Sequence, residues 1–469
     1  MIKRFFAKKD NTITNAYQEG LSTRGTGSNM GASDILEVFS IYGQASETSS
    51  ELARTLIQFD ENELASARSQ GSLPSAGNVS WFLKLYDAQH SETTPSNYDL
   101  EVAALSADWE EGYGMDMENY EDLTRNAVGS NWINRVGSTQ WSSEGGDYRS
   151  ESKSSKTFDS GLENLDIDVT DIVEKWLDNT WNNYGFMVKL TDAYESLATS
   201  FYTKKFFGRD SSFFFQRPVL EARWNDSRRD DRGLFFASSS LATSEDNLNN
   251  LYLYNVSRGR LVDYPHAPTS ASIRTDAGNA ATEVGLFEVS RVSTGVYKIS
   301  GAVETNSTTV YDVWYSGSVA YYTGSINVKS FSSQNSSVAS DYILSMPKLK
   351  NEYRKGQTYR MDLYVRPKNW SPNIYTVASQ TSISSTIIPS ASYEIRRSID
   401  DHIVIPYGTG STNDSDHFSM MSYDESGNYF HIDTSFFEPG YLYKVNYSFY
   451  DYVEGWQEQP FSFKFRVVD

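Results

Sequence analysis

Apolar and aromatic residues fall into many short runs along this chain, with polar turn-forming residues between them. Ser80-Trp-Phe-Leu-Lys-Leu-Tyr86 and Phe186-Met-Val-Lys-Leu190 are bounded by Gly, Asn, Asp and Ser, which predicts strands between turns. Near the C-terminus, Phe461, Phe463, Phe465 and Val467 alternate with polar residues, so period two puts them on one face of a half-buried antiparallel strand. Residues 295–300, 361–366, 393–396 and 442–449 are β-branched or aromatic and of ordinary strand length. Helical signals are few. In Asp168–Asp178 the residues Ile172, Val173, Trp176 and Leu177 make one apolar stripe, with Asp168 or Thr170 as the N-cap. Residues 60–67 predict one or two further helical turns.

Boundaries follow where this pattern lapses. Asn225–Gly233 is polar and charged and predicts a domain edge or exposed loop, and residues 263–283 predict a long loop. A third break falls at Ser330–Ser337. The expected plan is all-β: a jelly-roll-like sandwich over 11–225, then two smaller immunoglobulin-like β-sandwich domains over 236–330 and 339–469. Residues 1–10 combine Lys3, Arg4, Lys8 and Lys9 with Phe5 and Phe6 and predict a flexible basic arm that orders on an acidic partner. Its deletion would then leave the domains folded.

Composition narrows the function. The 469 residues are enough for several cores, and the formal charge of −20 opposes general binding to nucleic acid backbone. The basic, Phe-rich stretch 203–232 therefore reads as a docking surface, with Ser212–Phe215 as a strand. Cys is absent, which removes disulfides, thiolate nucleophiles and zinc–thiolate sites, and the five His form no ligand motif. The start of the chain makes a poor signal peptide, no 18-residue apolar run predicts a membrane span, and the Asn-x-Ser/Thr triplets such as those at Asn306 and Asn446 read as chance. No phosphate-binding, zinc-protease or nucleophile-elbow motif occurs, so no catalytic residue, metal site or cofactor is expected. The acidic stretch 99–124 holds nine Asp/Glu and reads as a solvated loop, although Glu110 with Glu111, or Glu118 with Asp122, would nominally suit paired-carboxylate chemistry and Asp108, Glu110, Asp116 and Glu118 could ligate calcium.

Several features of the first half occur in a telling order: Thr12–Tyr17, the Gly-rich Arg24–Gly31, Glu51–Asp60 with Arg54 and Phe59-Asp60, Asp108-Trp109-Glu-Glu111-Gly112, Val169–Trp176, Asn183-Tyr184-Gly185, and Arg217-Pro218. Residues 11–224 resemble the DNRLRE or carbohydrate-binding-like β-sandwich modules, which share this sequence of elements. The resemblance implies a jelly-roll-like domain used for binding or attachment, with Arg54, Phe59, Asp60, Trp109, Gly112, Trp176, Tyr184, Gly185, Arg217 and Pro218 at the family's structural positions. The segment between Gly112 and Val169 is longer than the family's, and Asn11-Thr12 stands where an Ala-Asp pair is usual. Trp176 is expected in the core rather than as a sugar platform, Trp109 either as an exposed stacking residue or as a wedge closing the sandwich edge, and Arg54 and Arg217 in pairs with Asp60 or Asp108.

Residues 351–375 are similar to a segment of large structural proteins of tailed, particularly contractile-tailed, bacteriophages. That similarity implies a non-enzymatic virion component of tail, neck or baseplate, made in the host cytoplasm and packed against other virion proteins, most simply as a homo-oligomer. The alternative is a carbohydrate-binding adhesin or fibre-like protein that recognises a host-surface glycan; a glycoside-active enzyme is the weakest reading. With 67 aromatic residues in the chain, Tyr364, Trp370, Tyr375, Tyr441, Tyr443 and Trp456 are expected to include interface anchors, alongside Phe5 and Phe6.

Overall fold

The computed structural model describes residues 1–90, 95–115, 120, 123–124, 128–329, 342–370, 373–374, 385–409, 414–451 and 454–469. They divide into two compact units, Ile2–Trp224 and Asn225–Asp469, with Met1 grouped with the second. The architecture is all-β and multi-domain, made of sandwiches of jelly-roll-like and immunoglobulin-like character.

The first unit contains β1 (Ile2–Thr14), β2 (Ile35–Tyr42), β3 (Ser50–Phe59), β4 (Ser80–Leu85), β5 (Tyr98–Leu105), β6 (Asn134–Val136), β7 (Thr139–Gln140), β8 (Tyr148–Phe158), β9 (Leu165–Asp168), β10 (Phe186–Leu190), β11 (Phe201–Phe207) and β12 (Val219–Arg223). Helices α1 (Glu61–Ser69), α2 (Thr170–Leu177) and α3 (Asp192–Glu195) punctuate them. β1 serves both layers: Ile2–Phe6 pair with β12, the register breaks between Ala7 and Lys9, and the rest pairs with β3. Such a break turns the strand and re-aims its side chains. From β12 one layer continues to β4 and β9; from β3 the other continues to β10, β5 and β8. β2 joins β3 to β11, and β11 meets the end of β4 through Phe207 N–H to the Tyr86 carbonyl, 3.0 Å, so the jelly-roll nearly closes.

The flexible arm is therefore corrected: residues 2–10 are the first half of the central strand. Phe5 is buried against Trp81 with ring centroids 5.8 Å apart, and Phe6 packs on Phe214 at 5.0 Å. The basic residues have partners on neighbouring elements: Arg4 with Glu221, Lys8 with Asp60, Lys9 with Asp108. Removal of residues 1–10 takes away a strand from both layers. We expect it to abolish the cooperative unfolding transition of the first unit, read by near-ultraviolet circular dichroism, where a free arm would leave that transition unchanged.

A buried ion cluster lies where β1, β4 and β12 run side by side. Glu221 is fully buried and receives Arg4 Nε at 2.6 Å and Arg223 Nε at 2.6 Å, with Lys84 at 3.9 Å. Burial works to raise the Glu221 carboxyl, yet Lys84, Arg4 and Arg223 together hold it well below the ordinary range. α2 presents Ile172, Val173 and Trp176 inward, with Trp176 4.7 Å from the Phe186 ring. Its N-cap is Val169, without a side-chain cap bond, where Asp168 or Thr170 was expected; Asp168 Oδ1 accepts the Thr170 N–H at 2.8 Å. Asp60 caps α1 by accepting the Asn62 N–H at 2.9 Å.

The second unit opens with β13 (Asn249–Tyr254), β14 (Val256–Ser257), β15 (Arg260–Leu261), β16 (Ser270–Arg274), β17 (Glu283–Glu288), β18 (Ser290–Ser293), β19 (Val296–Gly301), β20 (Thr309–Ser316) and β21 (Val319–Asn327). Their sheets, ordered β13-β19-β18 and β17-β16-β20-β21, close around Leu251, Ile273, Tyr297 and Trp314. The expected loop 263–283 thus holds β16, an inner strand, whose small residues Ser270, Ala271 and Ser272 fit between two neighbours. The chain continues with β22 (Tyr342–Ser345), β23 (Glu352–Arg354), β24 (Thr358–Pro367), β25 (Ala391–Arg397), β26 (Ile403–Ile405), β27 (Ser422–Asp424), β28 (Gly427–Asp433), β29 (Leu442–Asp451), β30 (Gly455–Glu458) and β31 (Phe463–Val468). The alternation read in the last strand holds, with Phe465 and Val467 buried, but β31 is an inner strand, antiparallel to β29 and parallel to β23.

The second unit begins at Asn225, and the end of the segment Asn225–Gly233 is not an exposed loop. Asp230 and Asp231 are buried, Asp231 accepts the Tyr423 hydroxyl at 2.6 Å and the Asn250 N–H at 2.7 Å, and Arg232 grips Asp312 with two bonds of 2.8 Å. Asp312 also accepts the Trp314 indole N–H at 2.7 Å. The boundary expected at Ser330–Ser337 lies outside the described residues.

Candidate functional site

The Trp109–Gly112 turn, Asn29 and the second half of β1 build one polar network in the first unit. Gly112 has φ +90°, and a Cβ there would lie 2.2 Å from the Asn29 amide oxygen, so only glycine allows the close approach. Asn29 Nδ2 donates to the carbonyls of Glu111 (2.7 Å) and Ser130 (2.8 Å), while its Oδ1 accepts from the N–H groups of Gly31 (3.2 Å) and Gly114 (2.9 Å). Asn11 ties the same Ser130 to β1, donating to its carbonyl at 3.0 Å and its hydroxyl at 2.9 Å. The segment carrying Glu111 is thus fixed to β1 by side-chain amides whose hydrogen bonds are used fully.

On this frame stand two carboxylates and one arginine. Glu111 Oε1 accepts the Asp10 N–H at 2.9 Å and Arg209 Nε at 3.1 Å, and Asp10 Oδ2 accepts the Arg209 backbone N–H at 2.6 Å. Lys9 lies over the Trp109 ring, 4.4 Å from its centroid, and pairs with Asp108 at 3.3 Å. Burial pushes the Asp10 carboxyl up to about 7, against the lowering effect of the Arg209 N–H, and burial also raises Glu111. Asp230 in the second unit is likewise raised to about 7 by burial. A carboxyl raised on folding keeps its proton in the folded state while the unfolded chain has lost it, so its contribution is complete at low pH and disappears as pH rises to about 7. We expect the first unit to lose about 1–2 kcal/mol between about pH 5.5 and about pH 8, and Asp10→Asn to remove much of that slope in urea unfolding curves.

Two large rings close to this network in sequence are exposed. Tyr113, two residues beyond Glu111, is 69% exposed, and Phe213, four beyond Arg209, is 59% exposed. Phe213 belongs to a chain of rings in which Phe207–Phe213 and Phe214–Phe215 centroids lie 5.4 and 5.2 Å apart. Phe214–Gln216 form a 3-10 turn where a strand was expected, because Arg217 Nε folds back onto the Ser211 carbonyl at 2.9 Å.

The other residues singled out from sequence have definite places. Trp109 is a buried wedge whose indole N–H donates to the Tyr184 carbonyl at 2.9 Å, and with Trp132 and Trp141 it covers the Ile13–Leu56–Met187 surface. The long segment after Gly112 supplies two of those three tryptophans. Tyr184 accepts from Asn182 through its hydroxyl, Gly185 has φ +94° against the Ile57 carbonyl, Phe59 is buried, and the Pro218 carbonyl accepts the Ala7 N–H at 3.2 Å. The expected Arg54 and Arg217 pairings are corrected. Arg54 holds Glu195 at 2.9 and 2.7 Å and lies 5.1 Å from the Trp132 ring centroid, while Asp60 and Asp108 go to Lys8 and Lys9. Glu195 also faces Lys189, which is buried with Glu101 at 3.0 Å and Asp192 at 2.5 Å. Glu101 lies on inner strand β5, so the acidic stretch 99–124 is not one solvated loop; Glu118 and Asp122 lie outside the described residues.

Of the expected interface anchors, Tyr443 is a core residue whose hydroxyl donates to the Glu438 carbonyl at 2.7 Å. Phe5 is likewise in a core, whereas Phe6, Tyr364, Trp370, Tyr441 and Trp456 are half-buried, and Tyr375 lies outside the described residues. Among the described residues no group of three or more His, Asp or Glu side chains is arranged to hold a metal, and no helix is long and apolar enough to cross a membrane. A cleft of about 1140 Å³ in the second unit is lined by both signs of charge, including Lys329, Lys368, Glu425 and Glu458, far from the Asp10–Glu111 network in sequence.

No protein-family model matches the sequence, and no curated protein matches it. Among solved structures, the chain is similar to the adhesin InvE of Yersinia pseudotuberculosis at 11% identity and a TM-score of 0.16, over 46% of this chain and 54% of that one. The first two immunoglobulin domains of DIP-gamma align at 11% identity with a TM-score of 0.12, over 47% of this chain and 88% of that one. Trypsin-activated alpha-2-macroglobulin from Escherichia coli aligns over 99% of this chain and 30% of that one, at 8% identity and a TM-score of 0.16. The chain thus spans about half the length of the adhesin.

Proposed function

We propose that this protein is a contact-forming attachment protein whose first unit binds a glycan on a host surface. The observation that carries the reading is two exposed rings, Tyr113 and Phe213, each within four residues in sequence of a member of the fixed Glu111–Arg209–Asp10 network. A sugar offers an apolar C–H face to an aromatic ring and hydroxyls that accept from a guanidinium and donate to a carboxylate. Recognition sites combine such apolar walls with a few convergent polar groups, and a network held by Asn29 and Asn11 loses little freedom on binding. The order of motifs over residues 11–224 supports assigning this unit to the DNRLRE or carbohydrate-binding-like modules. A glycan array probed with the whole chain tests the reading. We expect hits that free sugar competes and that Tyr113→Ala with Phe213→Ala loses; an array without any competable hit would remove it.

A second reading, a non-enzymatic structural component of a phage tail, neck or baseplate, is favoured by the resemblance of residues 351–375, which include β23 and β24. Immunogold labelling of purified particles tests it, and particles that stay unlabelled would exclude it.

A further inference from the structure

β21 is the last strand of its sheet, and no strand among the described residues pairs with its outer edge. It runs nine residues, Val319-Ala-Tyr-Tyr-Thr-Gly-Ser-Ile-Asn327, without a charge or a proline. An edge of this kind is a template for another strand, and proteins ordinarily guard such edges with charge, brevity or cover.

The other edges are guarded. β8 carries Arg149, Glu151, Lys153 and Lys156, β9 carries Asp166 and Asp168, β17 ends in Glu283 and Glu288, and β18 holds Arg291. β22 and β26 are only four and three residues long. β13 is uncharged but covered, since Asn249 exchanges bonds of 3.1 and 2.9 Å with the Phe236 backbone and the Asn250 N–H goes to Asp231. Among the long described edges β21 alone has neither a charge nor a covering segment bonded to its backbone; its one irregularity is a bulge at Ala320–Tyr322, and the run from Tyr322 to Asn327 is regular. Its rings are docked on their own sandwich, Tyr321 stacked on Tyr264 at 4.7 Å and Tyr322 facing Arg232 at 5.7 Å, which holds the strand extended.

We infer that β21 is a self-pairing edge through which two copies of this chain join antiparallel about a twofold axis, continuing one sheet across the dimer. Two features select a second copy as the occupant. On a chain of net charge −20, copies repel over most of their surface, and an uncharged strand is where they approach without like charges facing. The sequence is also self-complementary about its midpoint, Thr323: antiparallel pairing sets Tyr322 across from Gly324 and Ile326 across from Ala320, large against small on both sides of the axis.

The test uses the full chain, which has no cysteine of its own. In a Thr323→Cys variant the new thiol meets its own twin across the axis, within disulfide reach for an antiparallel pair, and we expect rapid oxidation to a covalent dimer. Leu241→Cys, at a position 96% exposed, is the control for random collision and is expected to remain monomeric. Sedimentation velocity from about 1 to about 100 µM should show a reversible dimer, and Thr323→Lys with Ser325→Lys should weaken it by about tenfold or more. Both side chains are exposed, so the melting temperature of that variant should not move. A wild-type chain that stays monomeric, cross-linking at 323 no faster than at 241, or a lysine variant that associates unchanged would each overturn the inference.

Discussion

Replacing Glu221 with Gln should destabilise the first unit by about 3–5 kcal/mol, because it removes the buried carboxylate that Arg4 Nε meets at 2.6 Å while leaving that guanidinium in place. The isosteric side chain adds no cavity, so the loss reports the charge. Glu221 is held below the ordinary carboxylate range, so its contribution is complete above the carboxyl's unfolded value and is lost as pH falls through the lower folded one. The difference between variant and wild type in urea unfolding should therefore be full at neutral pH and shrink below about pH 4. Lys8→Met is the contrasting case: its pair with Asp60 is exposed, and we expect a change within about 0.5 kcal/mol. Equal effects of the two substitutions would show that Glu221 is not the anchor that its burial implies.

Asp312→Asn should cost the second unit a similar amount, about 3–5 kcal/mol. Asp312 is fully buried and receives both arms of Arg232 and the Trp314 indole, and an amide can satisfy only part of that donor set. Arg232 belongs to the segment that also carries Asp230 and Asp231, so releasing it should loosen residues 228–232. That segment contains Arg228, Arg229 and Arg232, which makes trypsin a local probe. The variant should be cut there faster than wild type before global unfolding, and unchanged protection would contradict the role given to Asp312.

What could be read from the sequence was what local pattern decides. The bounded apolar run of β4 and the stripe of α2 depend on residues within one element. The first part of β1, residues 2–10, escaped for a physical reason: the register break between Ala7 and Lys9 interrupts period two, and four basic residues conceal a strand whose charges are answered by Glu221, Asp60 and Asp108 far along the chain. The exposed-loop reading of Asn225–Gly233 misled in the same way, since Arg232 looks solvated until Asp312 is placed beside it. β16 was missed because Ser and Ala suit a loop as well as an inner strand with little room. In the candidate site the acidic turn was visible, but its partners Asp10, Asn29 and Arg209 come from three separate segments, and only the fold brings them together. Tyr113 gave one usable signal, a large ring directly after a glycine in a polar turn.

The most direct test of the attachment reading is calorimetric titration of the whole chain with the strongest competable glycan, alongside Arg209→Ala and Tyr113→Ala. Arg209 and Tyr113 stand for the polar and the stacking halves of the proposed site. We predict a saturable isotherm for the wild type and, for each variant, affinity weaker by about tenfold or more with an unchanged melting temperature. Binding that both variants keep at full strength would place the glycan elsewhere and contradict the account.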